Sequence, residues 1–212
     1  MGLMQTASIV VRRVGACLGF VALSCAAAPP AQSPGSTPSP TPAPAPAAQS
    51  PAAESEPVRL PTLPSPTLAA PAGNRLAFAL DATGVQIYTC QAKDAGFAWT
   101  FQAPEAALVD RRGQVVVKHY AGPTWESVED GSKVVASKLE SFADDQAAIP
   151  KLLLKASQHD GNGRMSDVTY IQRLATSRGL SPASGCDATR LGAVERVEYT
   201  ATYYFYRAEQ GS

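Results

Sequence analysis

The sequence predicts an all-β domain, an antiparallel sandwich or barrel of about 8–10 short strands that follows a disordered, proline-rich lead. Three observations carry this. Runs of alternating polarity recur along the chain, separated by Gly, Pro, Asn and Asp at a spacing of about 8–12 residues. Beyond the N-terminal apolar run, no stretch of about 12 residues repeats its apolar positions with the 3.6-residue period of a helix. The prolines are also segregated: 14 of the 18 lie between Pro29 and Pro71, whereas every aromatic except Phe20 lies between Phe78 and Tyr206. The 212 residues therefore divide into a lead and one domain at 71–210. A domain of about 140 residues buries roughly two-thirds of its unfolded surface and needs no metal to be stable.

Residues 1–28 read as an export signal. Arg12 and Arg13 precede the apolar run Val14 to Leu23, and small residues follow from Ser24 to Ala28. The run is shorter than the ~20 apolar residues that a membrane-spanning helix requires. Two processing routes fit. One is cleavage after Ala26-Ala27-Ala28. The other is a lipoprotein-type signal with Val21-Ala22-Leu23-Ser24 before a lipidated Cys25, in which Ala22 stands where such signals prefer leucine. Residues 29–70 form a Pro/Ala/Ser-rich tether. Proline fixes φ and removes backbone donors, so such a segment samples polyproline II and remains solvated. At about 3.1 Å per residue it reaches on the order of 100 Å when extended. Its later part, from Val58 to Pro64, gains Val and Leu and reads as an arm lying along the domain.

Within the domain, Leu76 to Leu80 reads as a first strand, Asp81 to Gly84 as a turn, and Val85 to Gln91 as a second strand. Two-residue alternation separates Val85, Ile87 and Thr89 from Gln86, Tyr88 and Cys90. After a turn at Lys93 to Gly96, Phe97 to Gln102 carries Phe97, Trp99 and Phe101 on one face, and Pro104 ends it. Glu105 to Val109 is a strand or one helical turn. Arg111-Arg112-Gly113 turns the chain into Gln114 to Tyr120, where Val115, Val117 and His119 share a face. Gly122-Pro123 turns it again into Thr124-Trp125-Glu126, and Glu129-Asp130-Gly131 into a strand from Ser132 to Leu139. Ser141 to Ala148, rich in alanine and acids and closed by Pro150, is the one candidate helix. Leu152 to Ala156 and Val168 to Leu174 are strands, and Thr176 to Cys186 is a loop. The last strand, Val194 to Arg207, alternates Val197, Tyr199, Ala201, Tyr203 and Phe205 with Thr200, Thr202, Tyr204 and Tyr206. The threonines suggest that the Tyr204/Tyr206 face is exposed and able to stack on sugars or aromatics, although tyrosine also simply suits a half-buried sheet.

Two cysteines remain once the lead is set aside. In an oxidising compartment Cys90 and Cys186 read as a disulfide, with two buried thiols as the rival. No Lys or Arg flanks either one to activate a thiolate.

The segments GVQIYTC, AWTFQAPEAALVD, HYAGPTWE with DGS, AIPKLLLKAS, VTYIQRLAT, SPASGC and YTATYYFY occur in the order found in a known family. From about Pro71 to Tyr206 the chain resembles the secreted domain-of-unknown-function family 3455 of bacteria and fungi. It departs from the family pattern at Lys151, where a tryptophan is common. The resemblance implies export and a β-rich domain. It implies no reaction.

The cluster richest in chemistry runs from His119 to Ser132. His119, Trp125, Glu126, Asp130 and Ser132 form the candidate ligand-binding set, with His119 as acid or base if the protein is an enzyme. The alternative is that His119 and Trp125 are core residues and Asp130-Gly131 only a turn. A Ser132–His119–Asp130 triad can be written, but the chain has no G-x-S-x-G elbow to present the serine. The histidines, His119 and His159, stand forty residues apart, and His159-Asp160-Gly161-Asn162-Gly163 lacks the acids of a calcium loop, so no metal site and no cofactor are expected. Gly161 to Ser166 precedes a strand instead of opening a helix, which excludes a dinucleotide loop. With 15 Lys and Arg against 16 Asp and Glu from Pro71 onward, there is no basic stripe for nucleic acid. The expected protein is an exported domain, periplasmic, envelope-tethered or secreted, with contact to a membrane only through a lipid on Cys25. It reads as a non-catalytic binding or structural module for a small molecule, a glycan or an envelope protein. The alternative is a secreted hydrolase or oxidoreductase.

Overall fold

A computed structural model describes residues 59–210. The expected export signal, the expected lipidation site Cys25 and the expected tether up to Val58 lie outside the described residues. Eight antiparallel strands follow one another around a closed barrel: β1 (Asn74–Lys93), β2 (Gly96–Val109), β3 (Val115–Tyr120), β4 (Thr124–Ser127), β5 (Lys133–Phe142), β6 (Lys151–Asp160), β7 (Val168–Arg178) and β8 (Val194–Ala208). β8 returns to pair with β1 from Asn74↔Ala208 to Thr89↔Val194, so the sheet closes on itself. The all-β expectation holds, and closure selects a barrel over a sandwich.

The interior follows strand alternation. Leu80, Ala82, Leu108, Val117, Val134, Ala136, Ile171, Tyr203 and Phe205 are buried in one cluster. The turns expected at Lys93–Gly96, Arg111–Gly113, Gly122–Pro123 and Glu129–Gly131 each connect successive strands.

Several local expectations are corrected. Asp81 to Gly84 is not a turn but the middle of the 20-residue β1. Gly84 serves a close approach between strands: a Cβ there would overlap the Glu105 carbonyl and Ala106 of β2. Nor does Pro104 end its strand. It faces Gln86 beside a bulge at Ile87/Tyr88 that leaves Gln102 unopposed, and the bulge accommodates a residue without an N–H. Glu105 to Val109 is therefore strand. The helix expected at Ser141–Ala148 does not form. β5 continues to Phe142, whose ring packs with the Leu68, Leu153 and Leu174 cluster, and the Asp145 carboxylate accepts the Ala147 N–H at 2.8 Å in a turn. β7 continues to Arg178, so the loop begins later than expected. Val115 does not share the burial of Val117 and His119, because it sits at the strand end next to a bulge.

The second part of the lead lies on the barrel as a strap. Leu63 and Leu68 pack against Leu153, Leu174, Tyr170 and Tyr204, and a single 3-10 turn at Pro66–Leu68 is capped by Ser65. The Gln172 amide donates to the Leu68 carbonyl at 2.5 Å and accepts from the Tyr206 hydroxyl at 2.8 Å. The Tyr204/Tyr206 face is thus covered: Tyr206 is 5 % exposed. Sequence alternation identified this face correctly as opposite the core but could not show what covers it.

Cys90 and Cys186 form the disulfide, with Cα atoms 5.3 Å apart and a sequence separation of 96. It joins the β1–β2 hairpin, which projects beyond the barrel, to the segment before β8. The Trp99 indole donates to the Ser184 carbonyl at 2.8 Å, and backbone bonds Cys90 N–H to Ala193 O and Gly192 N–H to Cys90 O complete the attachment.

Candidate functional site

His119 on β3 and Trp125 on β4 are register partners across the β3–β4 hairpin. Alternation turns both inward, and they are 3 % and 1 % exposed. Their rings stack with centroids 4.1 Å apart, and Tyr203 of β8 meets both edge-on at 5.4 and 5.6 Å. Phe205 lies against Trp125 on the core side. The His119, Trp125 and Tyr203 rings form the floor of a cavity of about 390 Å³ within one end of the barrel. Gln86 and Tyr88 of β1, Phe101 and Pro104 of β2, and Leu152 and Leu154 of β6 contribute to its wall. Gly122 and Pro123, Lys138 and Ser141, and Ile149 and Pro150 come from the turn and strand ends around it. Gln102 of β2 and Arg173 of β7 complete the lining. An eight-stranded barrel is just wide enough to be filled by side chains or to hold one small ligand, and here one part is filled while the other is open.

His119 Nδ1 lies 2.9 Å from the Thr124 carbonyl. A carbonyl can only accept, so Nδ1 carries the proton and Nε2 is a bare acceptor. Burial lowers the His119 pKa to about 3; the Thr124 hydrogen bond opposes this and the Arg173 charge adds to it. The imidazole is neutral across the physiological range. Two buried donors at the cavity, Trp125 Nε1 and Gln86 Nε2, have no protein partner. Arg173 donates from Nε and Nη2 to the Pro150 carbonyl at 3.2 and 2.8 Å. The Tyr88 hydroxyl donates to the Gly179 carbonyl at 2.7 Å, tying the end of β7 to β1 beside the cavity.

The five residues of the expected site separate into three places. His119 and Trp125 meet at the floor. Glu126 follows Trp125 and alternation turns it outward, where its carboxylate accepts the Tyr120 hydroxyl at 2.6 Å and lies 4.0 Å from Lys133 Nζ. That hydrogen bond pushes the Tyr120 pKa up to about 12. Asp130 and Ser132 belong to the β4–β5 turn. The Ser132 hydroxyl donates to Asp130 at 2.5 Å and accepts the Met165 N–H at 3.0 Å, while the Arg164 N–H donates to Asp130 at 2.9 Å. The Ser132 hydroxyl and the Arg164 and Ser132 amides hold the Asp130 carboxyl well below the usual carboxylate range. This is a clamp between two turns. It removes the paper triad, since Ser132 is bonded directly to Asp130 and His119 to Thr124.

His159 Nε2 donates to the Val168 carbonyl at 2.7 Å. Among the described residues no group of three His, Cys, Asp or Glu side chains could hold a metal ion.

Sequence reasoning missed Gln86, Tyr88, Lys138, Arg173 and Tyr203 as cavity residues. A signal existed for Arg173. It stands two residues after buried Ile171 in a strand whose other face, Tyr170, Gln172 and Leu174, is apolar or buried under the strap. A basic residue in phase with an interior face calls for a partner or a cavity.

No curated protein and no solved structure matches the chain. A family model described as a protein of unknown function (DUF3455) matches residues 71–207, from the turn before β1 almost to the end of β8. The chain belongs to the DUF3455 family.

Proposed function

We propose that this protein is an exported, non-catalytic binding module of the cell envelope that holds a small molecule inside its barrel. The observation that carries this reading is the cavity of about 390 Å³ floored by His119, Trp125 and Tyr203. Small-molecule sites are concave, mostly apolar and furnished with a few convergent polar groups, at volumes of about 300–1,000 Å³. The walls here are aromatic and aliphatic, and unpartnered donors lie at Trp125 and Gln86. His119 supports binding over acid–base chemistry: with a pKa of about 3 it carries no proton to give near neutral pH, and its conjugate acid is too strong for it to be an effective base.

Export is supported by the basic, apolar and small-residue order of residues 12–28 and by the disulfide, which suits an oxidising compartment. The proline-rich tether suits a domain held away from a membrane by a lipid on Cys25. Mass spectrometry of the mature N-terminus separates a diacylated Cys25 from cleavage after Ala28.

The test of binding is titration of the exported, full-length protein with the uncharged fluorophore N-phenyl-1-naphthylamine. Saturable fluorescence at one site per chain is expected, lost in Trp125→Ala and retained in His119→Asn. The absence of saturable uptake would sink the reading.

A further inference from the structure

The binding reading leaves the ligand's chemistry open, and the charges around the cavity narrow it. Its lining carries two charged side chains, Arg173 and Lys138, both cationic, and no carboxylate. Lys138 is exposed on β5. Arg173 is half-buried, and it forms no ion pair among the described residues; its hydrogen bonds go to neutral groups, two to the Pro150 carbonyl and one to the Tyr203 hydroxyl. A guanidinium has five N–H donors, more than these contacts use. Its charge reaches the floor, where it favours neutral His119 and opposes the effect of burial on Tyr88 and Tyr203.

The other unpaired groups have the same sense. Trp125 Nε1 and Gln86 Nε2 are donors without acceptors, in side chains 1 % and 3 % exposed. A half-buried cation without a counter-charge, beside orphaned donors, is a site short of negative charge and of acceptor atoms. The apolar remainder of the lining requires that the anion belong to a molecule with an apolar body.

We propose that the cavity binds a small apolar carboxylate, aromatic by preference, with its carboxylate on Arg173 and its body against the His119–Trp125 floor. The inference rests on the binding reading above. A carboxylate fits better than a phosphate because the one half-buried cation, Arg173, balances a single charge while Lys138 is solvated, and two planar oxygens match the guanidinium fork. Lys138 draws the anion toward the cavity. His119 Nε2, the one bare acceptor of the floor, favours a ligand that also carries a hydroxyl or N–H.

The test compares 2-naphthoate with its uncharged near-isostere 2-naphthamide, by calorimetry on the full-length protein exported into an oxidising compartment. The carboxylate is expected to bind at least about tenfold more tightly, the usual scale of a charge-assisted hydrogen bond. The Arg173→Gln substitution should bring the ratio of the two affinities close to one, and Arg173→Lys, which keeps the charge without the fork, should leave an intermediate ratio. Lys138→Gln, at an exposed position, reads the electrostatic part should Arg173→Gln not fold, and should lower the ratio two- to threefold, about the worth of one screened surface charge. Equal affinities in the native protein overturn the proposal and leave the binding reading standing. A ratio that persists in Arg173→Gln also overturns it. Failure of both compounds, and of N-phenyl-1-naphthylamine, overturns the binding reading and the carboxylate together.

Discussion

The rings of His119 and Trp125 lie parallel across one register pair of β3 and β4, with centroids 4.1 Å apart and planes inclined by 10°. This stack seals the barrel core from the cavity. It also keeps an imidazole where it cannot be charged cheaply. In the unfolded chain His119 takes its proton near pH 6.5, whereas in the folded protein it resists until about 3. The unfolded state therefore binds more protons between these values, and stability falls as the pH drops through that window. The slope is roughly 1.4 kcal/mol per pH unit from this group. His119→Asn keeps an amide donor for the Thr124 carbonyl and removes the titration. Its melting temperature should change less than that of the native protein between pH 6 and pH 4.5, above the range where Asp130, Asp144 and Asp187, with lowered pKa values, lose their own contributions.

Trp125 is almost completely buried and borders both the core and the cavity. Trp125→Ala should cost about 3–5 kcal/mol in urea denaturation, the range for truncating a large core aromatic. Trp125→Phe keeps the stack and drops the orphaned N–H, so its loss should be clearly smaller. A cost for Trp125→Phe equal to that of Trp125→Ala would mean that the indole nitrogen has a partner.

The Asp130–Ser132 clamp predicts a dissociation of stability from binding. Asp130→Ala frees the Arg164 N–H and the Ser132 hydroxyl and should lower the melting temperature. It should leave ligand uptake intact, since neither Asp130 nor Ser132 lines the cavity. Loss of uptake in a folded Asp130→Ala protein would return these residues to the site.

The disulfide closes a long loop, for which chain entropy gives roughly 4–5 kcal/mol as an upper figure. Replacing both Cys90 and Cys186 with serine should lower the denaturation midpoint. Hydrogen exchange should rise first in the β1–β2 hairpin and in residues 184–193, which the bridge and Trp99 hold together. The intact native protein should weigh two hydrogens less than its reduced form.

Leu68, in the strap, is fully buried against the barrel. Leu68→Ala should cost about 2–5 kcal/mol and speed proteolysis within residues 59–70. An unchanged cleavage rate would show that the strap is held by the Gln172 hydrogen bonds alone.

The sequence by itself determined the β class, the connecting turns at Gly96, Gly113, Gly122 and Gly131, and the Cys90–Cys186 pairing. Each of these depends on local backbone chemistry or on a small number of possible partners: a positive φ at these four glycines marks a turn wherever it falls, and two cysteines have one way to pair. The inward positions of Val117, His119, Tyr199, Tyr203 and Phe205 were likewise legible, because alternation along a strand is a local property. Only the tertiary structure decided closure into a barrel, since the pairing of β1 with β8 joins the two ends of the domain and no local signal distinguishes it from an open edge. It alone turned Gly84 from a turn residue into a crossing point, set the strap over Tyr206, and sent Glu126, Asp130 and Ser132 away from His119 despite their closeness in sequence. Arg173 reached the cavity from β7, across the barrel in chain order, because strand neighbours are chosen by sheet register, which sequence proximity does not encode.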